Sequence, residues 1–286
     1  GLSDTTNLCG ALEFSENLSK IGTQPIIGTQ VNFKFADQIG LLPLIATSEE
    51  SYKSIIEMSS NSYLKNDGMS EPHCNFKDLT AISKDIIILS GTVNGLVGKL
   101  FDKGLFNEVE EIYKSLKKSI NNNFYIEIQR HNDPNEKLFE KFNLEISKKL
   151  DIPIIATNEV FYLDKEMHEA HDALICIGNK TYINEKNRLK YSNQHYLKSD
   201  EEMREIFSDL PEALENNYNL FYKCKFKRGS SKPVLPNISS EEGGNADDIL
   251  KKDSLHGLRI KFDKIFGIKA NDLNNNKTYL DYKDRL

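Results

Sequence analysis

Gln24-Pro25-Ile26-Ile27-Gly28 opens a β-rich run that continues to Phe35, and Asp4-Thr5-Thr6-Asn7-Leu8-Cys9-Gly10-Ala11-Leu12-Glu13-Phe14 stands just before it. Working outward, runs of this kind recur and alternate with amphipathic segments. Strands are expected at Ile26 to Phe35, Leu41 to Ala46, Ile86 to Leu89, Phe124 to Ile128 and Pro153 to Ala156, where β-branched and aromatic residues suit a pleated, half-buried surface. Strands separated by helical patterns argue for an α/β fold of βα units around a parallel sheet or barrel.

The helices between have readable starts. Thr47-Ser48-Glu49-Glu50 places Thr and Glu three apart ahead of Tyr52, Ile55, Ile56 and Met58, which predicts a capping box and an apolar helix face. Ser199-Asp200-Glu201-Glu202 repeats the device, and Pro211 suits a first helical turn, where its missing N–H has no partner to lose. Glu108 to Ile120 reads as a helix with Val109, Ile112, Tyr113 and Leu116 on one side and Lys117 and Lys118 at its end, where cations complement the helix dipole. Asn61 to Phe76 and Asn179 to Tyr191 lack a period and read as excursions. The polar, glycine-bearing Asn237 to Asn245 reads as a linker, so the domains divide as 1–237 and 238–286, with a further helix expected at Asp247 to Phe262.

The chain has 286 residues, 38% hydrophobic and 28% charged, enough for one large domain or a domain with an appendage. No apolar run reaches the roughly 18 residues of a membrane helix, and no basic, apolar leader is visible, so a cytoplasmic location and no membrane partner are expected. Cys9, Cys74, Cys176 and Cys224 are too scattered for a zinc ribbon or a disulfide framework and read as reduced thiols. A net charge of -6 argues against a surface that is wholly a nucleic-acid footprint. A local basic patch remains in Lys223, Lys225, Lys227, Arg228 and Lys232 around Phe226; its alternative is a solvated segment whose lysine stems cover apolar surface.

Chemistry in α/β barrels gathers where strands end. His131 follows one expected strand, and Asn158 and Glu159 follow another, so an imidazole and a carboxylate can share a cleft as part of a divalent-metal shell. The alternative for His131 is a loop histidine at the domain surface. His168 and His171 flank Glu169 at a spacing one residue short of the H-E-x-x-H zinc motif, and read as a helix-surface pair. Gly91 to Gly98 lacks the Lys-Ser/Thr of a P-loop and reads as a turn into a helix, while Ser90-Gly91 is not part of a G-x-S-x-G elbow.

Taken in order, several stretches make a resemblance. The opening Asp4 to Phe14 with Gln24 to Gly28 is followed by Ile45 to Tyr52, Ile88 to Gly91, Tyr125 to His131, Pro153 to Val160, Glu169 to Leu174, Ser199 to Met203, Phe207 to Asn216 and Lys232 to Pro236. Together they resemble the N-terminal PHP (polymerase and histidinol phosphatase) region of bacterial DNA polymerase III alpha subunits, with an alphaproteobacterial flavour. The resemblance implies a PHP-type distorted (β/α)7 barrel lacking its first strands, with the beginning of the polymerase region in 238–286. It also implies a replicative, DNA-templated polymerase as parent, using Mg²⁺ through an acidic Pro-Asp-Phe-Asp-Val-Asp type motif that does not occur within residues 1–286. Implied partners are the proofreading exonuclease subunit, other replicase subunits and, through the parent, DNA.

Active PHP domains carry about nine metal ligands, and the resemblance marks where this chain departs. Thr5, Leu41 and Phe161 stand where the family has histidine and Gln30 where it has glutamate, while His131 fits and Glu159 replaces an aspartate. Leu and Phe offer no lone pair to a metal. A metal-free scaffold without catalytic or cofactor residues of its own is therefore expected, with His131 and Glu159 as residual ligand candidates. The alternatives are a metal-dependent PHP phosphoesterase, perhaps with 3'-5' exonuclease activity, and a free-standing interaction module.

Overall fold

The computed structural model describes residues 1–66, 68–79, 85–234, 245–269 and 272–286. These form two compact units, Gly1–Ser230 and Ser231–Leu286. The expected boundary after Pro236, and the expected linker up to residue 244, lie outside the described residues.

The first unit is built on seven strands: β1 (Leu2–Thr5), β2 (Ile27–Phe35), β3 (Gln38–Ala46), β4 (Cys74–Asn75), β5 (Ile86–Leu89), β6 (Phe124–Ile128) and β7 (Ile154–Ala156). They lie in the order β1-β2-β3-β5-β6-β7, with β4 also on β2. The result is a mixed α/β half-barrel of the PHP type. Its helices are α1 (Ala11–Lys20), α2 (Glu49–Leu64), α3 (Phe76–Leu79), α4 (Leu96–Asp102), α5 (Phe106–Ile120), α6 (Glu136–Leu150), α7 (His168–Asn179), α8 (Asp200–Ile206) and α9 (Pro211–Lys223).

The sheet is not all-parallel as the βα pattern predicts. β1–β2, β5–β6 and β6–β7 are parallel, but β3 runs antiparallel to both β2 and β5. The physical reason is the connection: only Ala36 and Asp37 join β2 to β3, and a parallel crossover needs a dozen or more residues. Ala36 takes a left-handed φ of 49° to close the hairpin.

Strand alternation sorts the core into two faces. Ile86 and Ile88 on β5, with Phe124, Ile126 and Ile128 on β6, join the main cluster beneath the helices. Ile87, Leu89, Tyr125 and Ile155 point to the opposite face and meet Leu220 and Cys224 from α9 and its end. Because side chains alternate with a period of two, Glu127 shares the face of Tyr125, so a carboxylate is carried into the concave side of the sheet.

The helix ends show how closely the local sequence is obeyed. Ser199 and Glu202 form the expected capping box, and Pro211 opens α9. At α2 the box lies one residue later than expected, between Ser48 and Ser51. Thr47 cannot serve as the cap because its hydroxyl donates to the Asp85 carbonyl, while the Ser51 Oγ accepts from both the Thr47 and Ser48 N–H groups. The Gly91 to Gly98 segment is a turn into α4, as read.

Two glycines there are set by close approach. A Cβ on Gly40 would lie 2.5 Å from the Leu96 backbone, and one on Gly98 would lie 2.0 Å from the Val93 carbonyl oxygen. Both contacts are with backbone, which cannot rotate away. We predict that Gly40→Ala lowers unfolding stability by about 1 to 3 kcal/mol, the usual range for overpacking, with no change in urea m-value; an unaltered urea midpoint would refute it.

The second unit contains α10 (Ala246–Phe266) and α11 (Lys277–Lys283). Phe262, Leu273 and Tyr279 make its small core, and Asn245 and Asn276 cap the two helices. The expected helix at Asp247 to Phe262 is present and one turn longer, ending at Gly267 with a left-handed φ of 64°.

Candidate functional site

β6 and β7 are parallel neighbours, so the chain leaving each of them emerges at one edge of the sheet. That places 129–133 beside 157–161, and the concave side of the sheet opens there into a cavity of about 550 Å³. Asp4, Thr5, Gln30, Glu127, Glu159 and Phe161 are among its lining residues. Thr5 and Gln30 are cross-strand partners between β1 and β2. Leu41 is not in this wall; it pairs with Asn32 in the β2–β3 hairpin.

Glu127 lines the cavity and is 5% exposed. Its Oε1 accepts from Gln129 Nε2 at 3.1 Å and from the Thr157 hydroxyl, whereas Oε2 has no partner. Burial pushes its pKa up to about 7, and the nearby Glu159 charge adds to the rise, against the hydrogen bonds from Thr157 and Gln129. Glu159 itself is raised by burial.

His131 is buried, not at the domain surface, at 1% exposure. Its N–H and that of Asn132 donate to the Glu136 carboxylate at 2.8 to 2.9 Å. A carboxylate at the first turn of α6 satisfies the turn before the helix and complements the helix dipole. The His131 Nε2 accepts from the Glu159 N–H at 3.2 Å and lies 3.1 Å from Asn158 Oδ1. The two residual candidates, His131 and Glu159, are therefore neighbours.

Sequence reading missed their other partner. His195, fully buried, stacks on His131 with ring centroids 4.2 Å apart and planes 6° apart. Asp133 Oδ2 lies 3.5 Å from its Nε2, and Glu159 Oε2 lies 3.7 Å from its Nδ1. The interaction with His195 holds the Asp133 carboxyl below its usual range. The signal available was an H-x-D step, His131 to Asp133; nothing local marks His195, which follows a segment without periodicity.

The segment around His195 is tied across the end of β7. Phe161 N–H donates to the His195 carbonyl at 2.9 Å, and Leu197 N–H to the Tyr162 carbonyl at 3.0 Å. Lys198 Nζ reaches Asn158 Oδ1 at 2.9 Å. The Phe161 ring packs over both His195 and His171, with centroids 5.1 and 5.3 Å away. Where the resemblance replaces a histidine by phenylalanine, the ring thus takes part in an aromatic stack. His168 lies on α7, its Nε2 3.0 Å from the Tyr191 carbonyl.

The residues of the expected basic patch in this unit are partly structural. Lys223 Nζ donates to Asn122 O at 2.6 Å and to the Tyr125 hydroxyl at 2.8 Å. Phe226 packs on Tyr52 at 5.0 Å, and the Arg228 guanidinium lies 6.0 Å over the same ring. Lys225 and Lys227 are exposed, as is Lys232 in the second unit. No helix among the described residues is long and apolar enough to cross a membrane.

A PHP-type cavity invites a polynuclear metal centre, and the wall decides whether one fits. Among the described residues lining it there is no histidine and no cysteine. Glu127 has one oxygen committed to Thr157 and Gln129. Such a wall does not fit a cluster held by imidazoles and carboxylates together.

The family model described as the PHP domain matches residues 1–131. The DNA polymerase III subunit alpha of Rickettsia bellii is 35% identical over 266 residues, covering 93% of this chain and 23% of that protein. Residues 1–131 carry the PHP-domain match, and over about nine-tenths of its length the chain is similar to the N-terminal region of DNA polymerase III alpha subunits. The corresponding subunit of Caulobacter vibrioides is 31% identical over 272 residues, covering 92% of this chain and 24% of its own length. That of Vibrio cholerae is 32% identical over 270 residues, with 93% and 23% covered. The chain thus spans less than a quarter of the length of these curated relatives.

Proposed function

We propose that this chain serves chromosomal replication as the PHP region of a DNA polymerase III alpha subunit, in the cytoplasm, within a parent that copies DNA using Mg²⁺. In this reading the PHP barrel is a scaffold without hydrolytic activity. It supports the polymerase region and docks the proofreading exonuclease subunit, with Lys225 and Lys227 available to DNA. The observation that carries the scaffold reading is the cavity wall, where Thr5, Gln30 and Phe161 stand among the lining residues and no imidazole does. Catalysis of phosphoester hydrolysis by metal needs an ion to activate water and neutralise charge, and this wall offers oxygen donors from Asp4, Glu127 and Glu159 but no imidazole or thiolate to hold a zinc-type cluster.

The test is direct. The purified chain is expected to incorporate no labelled dNTP on primed template with Mg²⁺, and to hydrolyse no bis-p-nitrophenyl phosphate with added Mn²⁺ or Zn²⁺. It should co-elute with the exonuclease subunit on gel filtration. Turnover of the phosphodiester that disappears in Glu127→Gln would replace the scaffold reading by the phosphoesterase one, for which the buried Glu127 carboxyl, raised to about 7 and lining the cavity, speaks.

A further inference from the structure

We propose that the segment from Lys180 to Tyr191 is a contact surface for single-stranded nucleic acid, with Lys180, Lys186 and Lys190 meeting phosphates and the Tyr182 ring stacking on a base. This is a different stretch from the one carrying Lys225 and Lys227. The inference goes beyond the scaffold reading and does not rest on it.

The first argument is charge against its background. The whole chain carries a net charge of -6, yet residues 179–198 hold Lys180, Lys186, Arg188, Lys190 and Lys198 against Glu185 alone. Two of these cations serve the fold: the Arg188 guanidinium donates to both Asp172 carboxylate oxygens at 2.5 and 2.6 Å, and Lys198 is held by Asn158. Lys180, Lys186 and Lys190 are exposed and take no salt bridge among the described residues. Unpaired ammonium groups gain by meeting phosphates, because each contact releases counterions from the nucleic acid.

The second argument is the aromatic group among them. Tyr182 is 77% exposed and stands in sequence between Lys180 and Lys186. Its backbone is fixed on a closed turn: the Tyr182 N–H donates to Glu185 Oε1 at 3.1 Å, and the Glu185 N–H donates back to the Tyr182 carbonyl at 3.0 Å. Cations interleaved with an exposed ring suit a single strand, whose phosphates meet the charges while an unpaired base offers its face for stacking.

The third argument is rigidity without regular structure. The segment lies outside helix and strand, yet the Thr181 N–H donates to the Cys176 carbonyl at 2.9 Å. Further along, the Arg188 pair with Asp172 pins its middle, and the Tyr191 ring packs on Phe161 with centroids 4.6 Å apart. The lysines and Tyr182 are thus carried on a held backbone, which loses little freedom when a ligand binds.

The experiment titrates the 286-residue chain into fluorescein-labelled oligo(dT) of about 20 nucleotides and follows anisotropy from about 20 to 200 mM NaCl, with circular dichroism as the check on folding. Three phosphate contacts predict a slope of about -2 for log K against log salt, from about 0.7 per contact on a single strand. Lys180→Gln/Lys186→Gln/Lys190→Gln should bring that slope close to zero. The charge-matched Lys137→Gln/Lys141→Gln/Lys148→Gln on α6 should leave it as in wild type. Tyr182→Ala should weaken binding about 5- to 150-fold at one salt concentration while keeping the slope, and Tyr182→Phe should restore it. No binding by wild type at the lowest salt, an unchanged slope in the first triple variant, an equal change in the α6 variant, or wild-type affinity in Tyr182→Ala each overturns the proposal. Loss of binding in Lys225→Gln/Lys227→Gln but not in the first triple variant overturns it too, in favour of that other stretch. Self-association of the chain in light scattering without oligonucleotide binding would instead make the surface a protein contact. None of these outcomes bears on phosphodiester turnover, so the scaffold reading stands or falls separately.

Discussion

Glu136→Ala is expected to destabilise the first unit by about 1 to 3 kcal/mol, because two backbone donors lose a charged acceptor at once and one of them is buried. The Glu136 side chain is buried and accepts from the N–H groups of both His131 and Asn132. Asn132 and Asn135 hold left-handed φ values of 61° and 64°, a conformation asparagine adopts more readily than most non-glycine residues, so the turn's shape is local while its attachment to α6 needs a partner. The carboxylate is what ties it to the start of α6. Without it the N–H of buried His131 is left unpaired and carries a desolvation penalty, whereas that of exposed Asn132 can turn to water. Glu136→Gln keeps one acceptor oxygen and should cost about half as much. Urea unfolding of the three proteins checks this, and equal midpoints for Glu136→Ala and wild type would show that the turn has another anchor. The same variant should displace His131 and Asp133 together, since both belong to that turn.

Much of this architecture is legible because strong local signals agree with the tertiary context. Ile86 to Leu89 is apolar at every position and is buried on both faces, so its strand is unambiguous. The Ser199 and Pro211 helix starts stand in the sequence because each satisfies backbone groups within its own turn. β1 and β4 are not legible, since strands of four and two residues carry too little pattern and owe their existence to the long neighbour β2. The β2–β3 hairpin is also hidden, because Ala36 takes the left-handed position that glycine or asparagine would advertise.

The site divides the same way. His131 and Glu159 can be picked out because each follows a readable strand. His195 cannot, because it reaches the site through tertiary hydrogen bonds to Phe161 and Tyr162, from a stretch with no period. Glu127 was open to notice as a charged residue inside the apolar run Phe124 to Ile128, where strand alternation assigns it to the face of Tyr125. A charge there either has partners or stays protonated, and no partner for Oε2 is visible from sequence.

That buried carboxyl gives the chain a pH dependence with a definite sign. Glu127 titrates near 7 in the folded state, above its ordinary value of 4.5, because burial disfavours the charged form. Between these two values the native state binds a proton that the unfolded state has lost. Stability is therefore complete below the unfolded pKa and falls as pH rises towards the folded one. The total loss is on the order of 3 kcal/mol, from about 1.4 kcal/mol for each pKa unit. Unfolding free energies measured from pH 5 to pH 8 are expected to decline by most of that amount, about 2.5 kcal/mol, in the wild type. Glu127→Gln should flatten the decline, since an amide does not ionise, although its N–H₂ group in place of Oε2 lowers stability at pH 5. The slope is thus the diagnostic quantity and the absolute stability is not. An equally steep decline in Glu127→Gln would assign the pH dependence to another group. A flat profile in wild type would mean that Glu127 already carries its charge at pH 5, held there by a cation in the cavity, and the scaffold reading would fall with it.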